Sequence, residues 1–267
     1  MSGRRIAAIV LRQLYLLRGS PQRVVPLFAW AAVDILLWGF ITRYLNSVAQ
    51  TGFDFVPTLL GAVLLWDFLT RIMQGVTMAF FEDVWSRNFL NFFATPLSIS
   101  EYLVGVVATG IGTSLVSLLA MLGLARLAFG LSFLSYGLAL VPFLMVLFLT
   151  GIALGITGAA IVLRLGPASE WLIWPIPTLI SPFAGVFYPV SVLPGWMQVV
   201  ARVLPPSYVF EGMRALVAGK PAPWDRLALG GGLAVAYVVL SCICFAWVYR
   251  YALRTGLIAR YSAETVS

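Results

Sequence analysis

Glu82 to Leu97, EDVWSRNFLNFFATPL, is a polar and aromatic interruption between two runs too apolar to be anything but membrane-spanning. Here the chain surfaces and can meet a soluble partner. Taken as a helix, Trp85, Phe89, Phe92 and Phe93 recur at spacings of three and four and form one aromatic face, with Asp83, Arg87 and Asn88 around it. Glu82 and Asp83 are expected at its start, where negative charge suits the helix dipole. Pro96 ends it, because the residue before a proline avoids the helical region. The pattern predicts a short amphipathic helix over 82–97 lying across the membrane surface. The residues alone leave two roles open for it, an anchor floating on lipid or a docking element.

The composition agrees with a chain built around the bilayer. It is 61% hydrophobic and 10% charged, with mean hydropathy +0.97 and no histidine, whereas soluble domains are about a quarter charged. A helix needs roughly 20 apolar residues to cross the hydrocarbon, so 267 residues holding several such runs are expected to form a single transmembrane domain over 1–267. Without histidine there is no imidazole base or zinc ligand. No phosphate-binding loop is present either: Gly219-Lys220 lacks the upstream glycine spacing and is followed by proline. No catalytic residue, cofactor site or metal site is therefore expected. Cys242 and Cys244 sit one residue apart in an apolar run and are read as packing residues rather than a metal or redox pair. The net charge of +7 does not gather into a basic patch with exposed aromatics, so no nucleic acid is expected.

Residues 1–23 carry Arg4, Arg5, Arg12, Arg18 and Arg23 among Ile6, Ile9, Val10, Leu14 and Leu17. This basic amphipathic segment is expected to lie among anionic headgroups of the membrane lipid, with Gly19-Ser20-Pro21 breaking it from the first crossing. Spans are expected at Val24–Tyr44, Val56–Phe81, Ile99–Phe129, Tyr136–Leu163, Trp171–Val192 and Leu227–Arg250. Asp34 lies in the first, and Asp67 with Arg71 four positions on in the second. Ionisable groups at the bilayer centre cost about 2.5 to 3.5 kcal/mol, so such residues face a bundle interior or cavity. They are candidates for a pathway, and equally for a structural intrahelical pair. Gly105, Ala108, Gly110, Gly112 and Ser114 in the third span, and Gly151, Gly155 and Gly158 in the fourth, allow close helix contact.

The fifth apolar stretch holds Pro175, Pro177, Pro182 and Pro189, followed by Pro194-Gly195 and Pro205-Pro206, and no straight helix continues through these. A short helix is expected from Leu193 to Val203, and another from Tyr208 to Val217 capped by Ser207 with Glu211 in its first turn. Residues 181–217 thus read as a broken span followed by re-entrant helices in the outer half of the membrane. Trp171, Trp174, Phe183, Phe187, Tyr188 and Trp196 on that side could form an aromatic belt or touch cargo. Six crossings put both termini on one side. Ten basic residues flank that side and six the other (Arg43, Arg126, Arg202, Arg214, Lys220, Arg226), which makes the first side cytoplasmic.

With EDVWSRNFLNFFATPLSISEYLVG (82–105) and SPFAGVFYPVSVLPGWMQVVARVLPPSYVFEGMRAL (181–216) in place, the chain resembles the integral membrane subunit of an ABC exporter. The class is that of the six-span permeases of polysaccharide, nodulation-factor and drug export. The proline-broken fifth span and its elbow carry most of the likeness: Tyr188-Pro189, Leu193-Pro194, Trp196, Leu204-Pro205, Tyr208 and Arg214 occupy the family's places. The resemblance implies that 82–97 is the coupling helix, contacting an ATPase subunit through Glu82, Asp83, Trp85, Arg87, Phe89, Phe92 and Phe93. It further implies two ATPase copies that bring ATP and Mg, a homodimer or a pair with a similar permease, and the bacterial cytoplasmic membrane. A lipid-linked glycan, a lipid or an amphipathic drug-like molecule would be the cargo. The rival reading is an ion-coupled secondary transporter using Asp34 and Asp67, which predicts inverted repeats with broken helices in both halves; only one half has them.

Overall fold

The structure, a computed structural model, describes residues 1–48, 56–85, 95–131 and 137–257. Every element among them is helical. Helix α1 (Gly3–Arg18) ends at Gly19, and α2 (Pro21–Val48) opens on a proline. A proline is tolerated there because the first helical N–H has no partner anyway. Helix α3 (Gly61–Trp85) follows a π turn at Val56–Leu60, and α4 (Ile99–Phe129) and α5 (Leu140–Leu165) complete the centre of the bundle. Beyond a turn at Pro167–Ser169 come α6 (Glu170–Ile173), α7 (Pro175–Ala184), α8 (Gly195–Val203), α9 (Pro205–Val217) and α10 (Trp224–Arg254).

Glycine sets the packing at the centre. A Cβ on Gly110 would meet Val76 and Gly75 at 2.9–3.0 Å, so α3 and α4 cross backbone to backbone. Gly151, Gly155 and Gly158 of α5 lie in the same way against Leu69, Ile72, Val76 and Thr77 of α3. Gly105 admits Ile9 and so seats α1 on the first turns of α4. A Cβ on Gly112 would meet nothing within 4 Å among the described residues, so that small residue is not needed for a helix contact there.

Contacts assign the helix ends to two faces. The first face holds α1, the end of α3 and the start of α4, since Tyr102 bonds Asp83. The ends of α5 and α10 join it, with Arg164 over the Trp247 and Tyr251 rings. At the second face Arg43 of α2 donates to Ala128 O of α4, and Phe143 of α5 meets Trp224 of α10.

Among the described residues, five helices are long and apolar enough to cross a membrane. The expected fifth span, Trp171–Val192, is an apolar helix only over Trp171–Ala184. Prolines at 175 and 177 break the helical run at Trp174, and Gly185, left-handed at φ +62°, ends it. The helices that follow form a hairpin. At its tip the Tyr237 hydroxyl donates to Val203 O at 2.7 Å. Tyr237 lies thirteen residues past Trp224, so the tip reaches about 20 Å along α10 from the second face at 1.5 Å per residue.

The last of these helices also starts earlier than its expected cap. Helix α9 begins at Pro205 with Leu204 as N-cap, and Ser207 instead donates to Ala201 O and Leu204 O of the preceding turn. Two prolines at N1 and N2 need no donor partner, so a side-chain cap has little to satisfy.

Candidate functional site

A polar stripe runs down α3: Asp67, Thr70, Arg71, Gln74, Met78 and Glu82 recur at three- and four-residue intervals and so share one face. Thr109, Thr113, Ser114 and Ser117 do the same on α4, Trp30 and Asp34 on α2, and Gln13 and Leu17 on α1. With Trp174 these faces enclose a cleft of about 620 Å³. From Asp67 to Glu82 it extends about 22 Å along α3, ending at the first face. The volume falls within the range of small-molecule sites.

The lining is rich in acceptors. Thr70, Thr109, Thr113 and Ser114 donate their hydroxyl protons to carbonyls of their own helices, such as Ser114 Oγ to Gly110 O at 2.6 Å. What they present to the cleft is oxygen lone pairs. Arg71 binds one oxygen of Asp67 through Nη2 at 2.9 Å and Nε at 3.1 Å. Asp34 feels the charges of both yet makes no hydrogen bond or ion pair among the described residues. Gln13, also on the lining, is 3% exposed, and its amide nitrogen has no partner among the described residues. A buried donor without a partner is costly, and a bound group with an acceptor would relieve it. Among the described residues no cluster of acid, histidine and cysteine side chains could hold a metal ion.

Asp34, Asp67 and Arg71 line the same cleft. The residues missed by sequence reasoning are Gln13, Thr70, Gln74, Thr109, Thr113 and Ser117. Their signal was present as polar residues every three to four positions in apolar spans.

The segment that begins at Glu82 departs from expectation at its start. Helix α3 runs unbroken through Trp85, so Glu82 and Asp83 lie inside α3 and not at the start of a new helix. Glu82 lines the cleft. Asp83 is 0% exposed, paired with Arg12 Nη1 at 2.5 Å and accepting from Tyr102 Oη at 2.7 Å. Both its oxygens are held within the chain. Arg87, Phe89, Phe92, Phe93 and the side chain of Trp85 lie outside the described residues.

Beyond that segment Ser98 caps α4 in a reciprocal pair with Glu101. Glu101 also accepts from Ser2 N at 2.6 Å and pairs with Arg5 at 3.3 Å. Helix α1 thus grips both flanks of the 86–97 segment, through Asp83 on one side and Glu101 on the other.

At the elbow the residues singled out from sequence act as clamps. Tyr188 Oη donates to Pro182 O at 2.9 Å, satisfying a carbonyl left over at the end of α7. Glu211 accepts from Val190 N and from Arg214 Nη2, both at 2.8 Å, and Arg214 Nη1 reaches Val186 O at 3.4 Å. Phe187 stacks on Trp38 of α2, Trp196 meets Phe183 edge-on, and Tyr208 Oη donates to Arg202 O. None of these six lines the cleft.

Compared with known families, residues 6–217 match the model of the ABC-2 type transporter. No curated protein matches the chain. Permeases of that family are multi-pass membrane proteins that carry transport rather than catalysis and generally pair with an ABC ATPase subunit. The matched region takes in α1, the cleft helices, the flanks of 86–97 and the whole elbow, and on that basis the chain belongs to the ABC-2 type transporter family.

Proposed function

We propose that this chain is the permease subunit of an ATP-driven exporter, and that its cleft is the cargo path. The observation that carries the reading is the cleft itself: polar side chains of three long helices, α2, α3 and α4, and of the amphipathic α1 converge in an otherwise apolar bundle, and the cleft ends at the face that holds both flanks of 86–97. A polar face in a membrane helix is costly unless it lines a cavity or a path. The aromatic pattern of 85–93 then serves as the docking surface for a separate ATPase, since buried aromatic anchors dominate interface energies.

In this reading Trp171–Ala184 completes a sixth passage, with residues 185–217 folded back into the outer half of the membrane. Both termini lie in the cytoplasm of a bacterium, and the complex holds two permeases, identical or similar, with two ATPases that bring ATP and Mg. The cargo is an amphiphile: a lipid, a lipid-linked glycan or a drug-like molecule. Its hydroxyl or amino groups would be met by Asp34, Asp67 and the threonine oxygens, and an acceptor on it by Gln13.

Co-purification of the ATPase with wild-type and Phe89→Ala permease, at equal membrane insertion, tests the docking half. Loss of the contact by about 2 kcal/mol or more is expected for an interface anchor. Undiminished recovery of the ATPase would return 82–97 to a lipid anchor, with Arg164–Glu170 as the remaining inter-span loop on that face.

A further inference from the structure

Of the six basic residues assigned to the second face, three are accounted for locally. Arg43 donates to Ala128 O and lies over the Phe129 ring, and Arg214 is held by Glu211 and Val186 O. Arg126 sits in the last turn of α4, where a cation suits the helix dipole. The remaining three, Arg202, Lys220 and Arg226, make no side-chain hydrogen bond or ion pair among the described residues. All three line one cavity of about 590 Å³ between the α8–α9 hairpin, the 218–223 loop and the start of α10.

Arg202 neighbours the hairpin tip at Val203, well inside the second face, and a charge in the membrane region is costly unless a partner or water meets it. Three like charges around one cavity also repel one another unless an anion joins them. The one acid on the lining, Glu211, already has Oε1 held by Val190 N and Arg214. Asp225 neighbours Arg226 in sequence but is not part of the lining. The uncharged donors on the lining are already used: Gln198 Nε2 donates to Leu193 O at 2.8 Å, Ser207 Oγ to Ala201 O and Tyr208 Oη to Arg202 O, which leaves the three cations to meet a ligand. Beside the cavity, Trp196, Val199 and Val203 recur at three- and four-residue spacing on α8, and each is more than half exposed.

We propose that this cavity binds the phosphate of an anionic amphiphile, with Arg202, Lys220 and Arg226 around the phosphate and the acyl chains along the apolar face of α8. The site is separate from the cleft. It requires no ATPase, so it stands or falls apart from the export reading.

The test is equilibrium titration of the purified full chain with dioctanoyl-phosphatidylglycerol and with dioctanoyl-phosphatidylcholine. The expected result is at least tenfold tighter binding of phosphatidylglycerol, weakening as salt is raised. The Arg202→Gln/Arg226→Gln variant should lose most of that preference, at about fivefold per charge removed. Arg202→Lys/Arg226→Lys should keep it, and Arg43→Gln, whose charge is used inside the bundle, should leave it unchanged. Should the double variant not fold, Lys220→Gln on the exposed loop is read instead, with a loss of about fivefold expected. Competition by millimolar inorganic phosphate would show that the phosphate alone is recognised; charge-dependent lipid binding that inorganic phosphate does not displace would show that the acyl chains are needed as well. No preference between the two lipids, or a preference that survives neutralisation, would overturn the proposal.

Discussion

Arg12, on the amphipathic helix at the start of the chain, and Asp83, in the last turn of α3, hold each other at 2.5 Å, with the carboxylate fully enclosed. A segment that composition describes as a surface float is therefore bolted to the bundle. The two partners are not equivalent, because the Arg12 side chain is 27% exposed and Asp83 is not exposed at all. Removing Arg12 takes the ion-pair partner from a fully buried carboxylate, whereas removing the charge of Asp83 leaves a partly exposed cation within reach of water.

Arg12→Ala is accordingly expected to destabilise the purified protein by about 3 kcal/mol, the lower end of the range for breaking a buried pair. Asp83→Asn should cost clearly less, and the double substitution should cost less than the sum of the two. Thermal or denaturant unfolding in detergent checks the order. An Asp83→Asn cost equal to or above that of Arg12→Ala would contradict the inferred asymmetry.

The close crossing of α3 and α5 makes a second prediction. A Cβ at Gly151 would stand 2.8 Å from the carbonyl oxygen of Leu69 and from the Cβ of Ile72, so Gly151→Ala should force the helices apart and cost about 1–3 kcal/mol. Gly112→Ala, with nothing within 4 Å, should be neutral or stabilise by up to about 1 kcal/mol through helix propensity. Unfolding of the two variants side by side separates them, and equal effects would refute the packing argument.

At the elbow, Glu211→Ala removes the acceptor for Val190 N and the partner of Arg214 together. Hydrogen bonds to a charged group are worth about 1.5–3 kcal/mol, so 185–192 should loosen, seen as faster hydrogen exchange at Val190 and cleavage within the turn. Tyr188→Phe, which loses one neutral bond to Pro182 O, should do the same more weakly, by about 1 kcal/mol. Unchanged protection in Glu211→Ala would show that the turn does not depend on that carboxylate.

Much of this architecture was legible in the sequence, for reasons that differ from element to element. The apolar runs and the proline spacing announced the helical bundle and the broken 171–217 region directly, because backbone donors and hydrocarbon length leave few alternatives. Asp34, Asp67 and Arg71 were found because charge in an apolar run is conspicuous. Thr109, Thr113 and Ser117 were passed over because small residues in a span read equally well as packing, and Gln13 because it lay in a segment already explained by its arginines. The start of the Glu82 helix was misplaced for a physical reason: two acids announce a helix N-terminus only when no buried partner compensates them elsewhere. Asp83 has two such partners, and both come from distant parts of the chain. The length of the fifth passage could not be read either, since prolines say where a helix breaks but not how deep the following hairpin folds.

The most direct measurement of cargo passage uses the fact that the chain has two cysteines, Cys242 and Cys244. With both replaced by serine, Gln74→Cys places one thiol on the wall of the cleft. The complex with its ATPase is reconstituted in vesicles, and ATP-driven movement of a fluorescent amphiphile is recorded before and after labelling with a bulky maleimide. If the cleft is the path, complete labelling should abolish transport while leaving the ATPase bound to the permease; complete labelling with undiminished transport would place the path elsewhere.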